Sequence, residues 1–82
     1  MTTIRYWAAA RAAAGTREDD VDAPTLAAAL EELRGRHDDR LAAVLGVCAF
    51  VVDGDPVGAR DHATVPLAGV ELVDVLPPFA GG

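Results

Sequence analysis

Lysine is absent: all seven basic residues of the 82-residue chain are arginine, and 13 acidic residues leave a net charge of −6. That balance disfavours nucleic acid and anionic membranes as partners and favours a basic protein surface. Cysteine is nearly absent too. Cys48 stands alone, which excludes a disulfide within the chain. Lying in VCAFVV, it reads as a small apolar filler of a buried strand, because no cations gather around it to activate the thiol. The two histidines, His37 and His62, sit in separate polar stretches without H-x-x-x-H spacing or a cysteine pair, so no metal site is expected. No apolar run nears the ~18 residues that span a bilayer. The opening MTTIRYW lacks the charged start, apolar middle and cleavage site of a secretory signal, so a cytoplasmic location is expected. Neither a phosphate-binding G-x-x-x-x-G-K-[ST] nor a G-x-S-x-G elbow occurs. The carboxylates Glu18, Asp19, Asp20 and Asp22, and again Asp53, Asp55 and Asp61, fall in stretches that read as solvated surface. A self-contained active site is not expected, and the chain does not read as an enzyme by itself.

What is present is enough for one domain. A chain of this size buries about 60–65% of the surface its unfolded form exposes, and 51% apolar residues argue against disorder. TTIRYWA (2–8) alternates as a strand, with Ile4, Tyr6 and Ala8 inward and Arg5 and Trp7 outward. ARAAAG (10–15) predicts a short helix closed by Gly15. TREDDVDA (16–23), polar but for Val21, predicts an edge strand pairing back on the first. Thr25 is a good N-cap, and Leu26, Leu30 and Leu33 form the apolar stripe of a helix reaching about His37. Leu30 is expected against the sheet, with Ile4, Val51 and Leu72 nearby. A further helical turn is expected over 38–45. GVCAFVV (46–52) is a strand, Asp53-Gly54 a turn leading into Pro56-Val57, DHATVPLAG an irregular connection, and VELVDVL (70–76) a last strand. The order β-β-α-β-β-β, with one main helix on one face of a mixed sheet of four to five strands, gives an α+β roll.

The end of the chain, LPPFAGG, is its most unusual stretch. Pro77-Pro78 stops the strand and favours an extended path. Ala80-Gly81-Gly82 then removes side chains until the carboxylate is reached, which suits threading through a narrow channel in another protein. Residues 1–76 are read as the domain and 77–82 as a flexible, extended tail.

On these residues the chain resembles the MoaD/ThiS-type sulfur carriers, and among them is most similar to the molybdopterin synthase small subunit. IRYWAAARAAAG matches that family's first strand and short helix, with Tyr6, Ala8, Arg11 and Gly15 at the expected places, and PTLAAALEEL its central helix. The resemblance implies a β-grasp, ubiquitin-like fold. It implies that an E1-like adenylyltransferase/sulfurtransferase uses ATP to adenylylate the Gly82 carboxylate, which then becomes a thiocarboxylate. No cofactor is implied on the carrier itself. Pro77, Pro78, Phe79, Ala80 and Gly81 would thread into the partner, in this branch the molybdopterin synthase large subunit, which would supply the acid–base chemistry. Trp7, Arg11 and Phe79 are the expected interface residues. The same tail would serve thiamine, cysteine or tRNA thiolation, or a ubiquitin-like modifier of target lysines. A binding module with an incidental Gly-Gly end is the plainest alternative.

Overall fold

The computed structural model describes residues 1–78. The expectations for Phe79, Ala80, Gly81 and Gly82 therefore lie outside the described residues. β1 (Thr2–Tyr6) alternates as its sequence dictates, burying Thr2, Ile4 and Tyr6. A short helix α1 (Ala8–Ala14) follows and is closed by Gly15 in the left-handed region at φ 72°, where a side chain would be strained. β2 (Glu18–Val21) pairs antiparallel with β1 as an edge strand and sends Val21 into the core.

Thr25 caps α2 (Leu26–Arg36) by accepting a hydrogen bond from the Ala28 amide. Leu26, Ala29, Leu30 and Leu33 form its buried stripe. Asp38 caps α3 (Asp39–Leu45), which adds Leu41 and Leu45 to the core. β3 (Ala49–Val52) turns through Asp53 and Gly54, both at positive φ (46° and 83°), into the two-residue β4 (Asp55–Pro56). That torsion pair is the primed hairpin turn an Asp-Gly sequence favours. A single 3₁₀ turn at His62–Thr64 interrupts the irregular connection before β5 (Leu72–Leu76).

The five strands are ordered β2-β1-β5-β3-β4, so the last strand in sequence is the central one. β5 runs parallel to β1 and antiparallel to β3. The helices cover one face of the sheet, where Ile4, Tyr6, Phe50, Val73 and Val75 join the α2 stripe in a single apolar cluster. Leu30 lies in that cluster, but two of its expected neighbours do not. Phe50 faces inward in place of Val51, and Val73 and Val75 in place of Leu72. VELVDVL is apolar at both alternate sets of positions, so its pattern left the facing open, and the helix-covered side took the pair of valines that are continuous with Pro77.

Two expectations of solvated surface also give way. Asp19 pairs opposite Ile4 and so falls on the helix side of the sheet edge. There one oxygen, Oδ2, accepts the Tyr6 hydroxyl at 2.8 Å and meets His37 Nε2 at 2.7 Å, with Arg36 at 3.9 Å from the other oxygen. The network fastens edge strand β2 to the end of α2. Asp53 is likewise employed, accepting the Leu72 amide at 2.9 Å and the Glu71 amide at 3.2 Å, and so fixes where β5 begins.

Candidate functional site at the root of the tail

β5 delivers the chain to its tail from the middle of the sheet. Along it, Val73, Val75 and then Pro77 are buried, while Leu72, Asp74 and Leu76 take the open face. Pro77, expected to begin a tail held clear of the body, instead continues the inward alternation and is buried; Pro78 is exposed. The period-two pattern of the strand explains this, since proline can occupy the next inward position without needing a ladder donor.

Beside that exit lies Trp7, 40% exposed, as its outward place in the alternation of β1 requires. Its backbone amide donates to the Val75 carbonyl (3.2 Å) and extends the β1–β5 ladder toward the tail. Its carbonyl accepts from the Ala10 and Arg11 amides and opens α1. The next residue, Ala8, expected to face inward as part of the strand, is instead exposed and opens α1, because the chain leaves the strand at φ 47°, a conformation alanine adopts only under strain. The indole Nε1 donates to Asp74 Oδ1 at 2.8 Å, and Arg5 Nε donates to the same oxygen at 2.8 Å. The Arg5 guanidinium also lies 5.1 Å from the Trp7 ring centroid, close enough for cation–π attraction.

Arg11, an exposed residue of α1, joins Arg5, Tyr6, Trp7, Arg17 and Glu18 around a cleft of ≈ 280 Å³. Arg11 and Arg17 have no ion-pair partner among the described residues. A chain of net charge −6 thus gathers three arginines at one cleft beside the tail's root. Two of the residues singled out from sequence, Trp7 and Arg11, are brought together here. Asp74, which ties Trp7 to Arg5, was missed; its only signal was an acid inside an otherwise apolar strand.

Elsewhere the described residues offer little chemistry. Cys48 is partly buried just before β3, and burial pushes its thiol up to about 11. Burial and the hydrogen bond to Asp19 push the Tyr6 hydroxyl far above its usual range. Among the described residues no group of His, Cys, Asp and Glu is placed to hold a metal ion, and no helix is long and apolar enough to cross a membrane.

Compared with known families, residues 4–82 match the ThiS family, nearly the whole chain and through both terminal glycines. The chain belongs to the ThiS family. It is thus a small carrier domain of the ThiS type. The solution structure of small archaeal modifier protein 1 from Methanosarcina acetivorans is similar over 99% of this chain and 95% of that one, with a TM-score of 0.72 and 20% identity. At that identity the likeness speaks for the fold, and it agrees with the β-grasp arrangement of helices and mixed sheet. No curated protein matches the sequence significantly.

Proposed function

We propose that this ThiS-family chain is a sulfur carrier whose working group is the Gly82 carboxylate, and that it serves as the small subunit of a molybdopterin synthase. An E1-like enzyme joins AMP from ATP to the carboxylate with release of pyrophosphate. A sulfur donor then displaces AMP and leaves a thiocarboxylate, a sulfur nucleophile on a tether. In the molybdopterin branch the tail carries it into the large subunit, whose residues bind the pterin precursor and handle its protons. ATP belongs to the activating enzyme in this scheme, and the carrier contributes delivery.

The observation that carries the reading is the family match running through Gly81-Gly82, on a chain whose tail springs from the central strand. A root buried at Pro77 fixes where the tail starts, while Trp7 and the arginine cleft beside it offer a surface to whatever receives it. Deleting Gly81-Gly82, or adding a C-terminal tag that stays uncleaved, is expected to abolish sulfur transfer and leave the thermal midpoint nearly unchanged. Mass spectrometry of the protein from its host is expected to find sulfur in place of one terminal oxygen. A tagged protein that still delivers sulfur sinks the proposal. A second reading, attachment to target lysines, draws on the structural neighbour's being a modifier protein. An isopeptide-linked adduct in the same spectra would favour it, and co-purification with a large subunit would favour the first.

A further inference from the structure

Core packing does not explain a carboxylate at the centre of the open sheet face. Asp74 stands between Arg5 of β1 and Val51 of β3, with Leu72 and Leu76 before and after it on the same face. Its side chain is 17% exposed. A carboxylate so placed has lost much of its water and needs donors in exchange. It has two, the Arg5 Nε and the Trp7 indole, both on Oδ1. An aliphatic residue would have suited the strand as well, so the acid's effect is on its two donors. It holds the indole and the guanidinium in one arrangement, against a main chain already bound to Val75. Arg5 spends only Nε on this pair, and among the described residues neither of its Nη groups has a hydrogen-bond partner.

We propose that Asp74 is a positioning residue: by fixing Trp7 and Arg5 beside the tail's root it preorganises the surface that docks on the activating enzyme. That surface offers an aromatic face and guanidinium donors that are unpaired among the described residues, next to Arg11 and Arg17. It fits a partner patch with an apolar pocket rimmed by carboxylates. The inference rests on the reading that an enzyme activates the tail.

The test is pyrophosphate release by the activating enzyme of the same host, with the full-length carrier as varied substrate. Asp74→Ala is expected to raise KM about tenfold, the scale of losing preorganisation at two side chains, and to leave kcat unchanged, the mark of binding lost equally in ground and transition states. Asp74→Asn, whose amide oxygen can still accept from the indole, is expected to recover part of the loss. Trp7→Phe, which keeps a ring but no donor, is expected to raise KM as well. In the isolated protein, Trp7 is the sole tryptophan, so Asp74→Ala should lower its fluorescence anisotropy while the thermal midpoint holds. Should Asp74→Ala fail to fold, the Asn and Phe variants decide the matter. If the wild type reacts and the variants share its KM, or lose kcat instead, the positioning role is overturned while the carrier reading stands. If the wild type with an intact tail is not adenylylated, the carrier reading fails and the proposal with it; the anisotropy comparison then reports only on the geometry.

Discussion

Cys48 and Tyr6 are both acids whose protons the folded protein holds more tightly than the unfolded chain does. Burial carries Cys48 from an ordinary 9.0 to about 11, and Tyr6 is raised from 10.0 by burial first and by Asp19 second. Between those values the unfolded chain has lost its thiol proton and the folded one retains it, so raising the pH favours unfolding. The contribution is whole below pH 9.0 and is lost as the pH rises through about 11. Urea midpoints are therefore expected to be level below that window and to fall across it. The double variant Cys48→Ala, Tyr6→Phe should flatten the fall, whatever it does to stability at pH 7. An unchanged slope would show that neither group is linked to folding. For the same reason Cys48 should resist alkylation at pH 8 until urea opens the domain.

At this scale the sequence was readable wherever a residue's role depends on its neighbours in the chain. Trp7 faces outward because Ile4 and Tyr6 face inward, a local fact. Asp74 could not be read, since the partners that give it meaning lie 69 and 67 residues away. Asp19 looked like one more solvated acid in a run of four. Only the register of β2 against β1 places it under the Tyr6 hydroxyl.

Among the elements, α2 is the one most fully dictated by its own residues. Thr25 caps it, its leucines recur on one face, and that face covers the sheet. Two substitutions separate these contributions. Thr25→Ala removes a single capping bond and is expected to cost about 1 kcal/mol. Leu30→Ala opens a cavity among buried side chains and is expected to cost roughly 2–5 kcal/mol. Chemical denaturation of both variants checks the ratio; a Leu30→Ala loss near the Thr25→Ala value would show that the stripe is not packed as described. The Asp-Gly turn, the Gly15 cap and the edge character of β2 were legible for the same reason, each being signalled by residues in immediate succession. The facing of β5 was not, because apolar residues occupy both of its sides.

For the molecule as a whole, chain order conceals the sheet order. β1 pairs with β2 across α1, and β3 with β4 across the Asp-Gly turn, but these two ladders share no hydrogen-bonded pair except through β5. Nothing local in VELVDVL announces a central strand; its place follows from where both hairpins leave an unpaired edge over the same helix. A chain ending before residue 72 is accordingly expected to lack a cooperative thermal transition, even though it retains α2 and both hairpins. Circular dichroism melts of that truncation would settle the point, and a sharp transition would show that the sheet closes without β5.

The position of β5 also orders events during synthesis. The strand that completes the sheet is the last to be made, and its pairing with β1 joins segments almost the full chain apart, the kind of contact that forms late in folding. Until residue 76 is free of the ribosome, the two hairpins have no common strand. Only then can Val75 bind the Trp7 amide and Asp74 gather Arg5 and the indole. A tail attached to this strand is thus presented beside the assembled Trp7, Arg5 and Asp74 group, the docking face proposed above, only by a chain that has finished folding. An enzyme that recognises that face together with the terminus would pass over unfinished chains without any separate means of inspecting them.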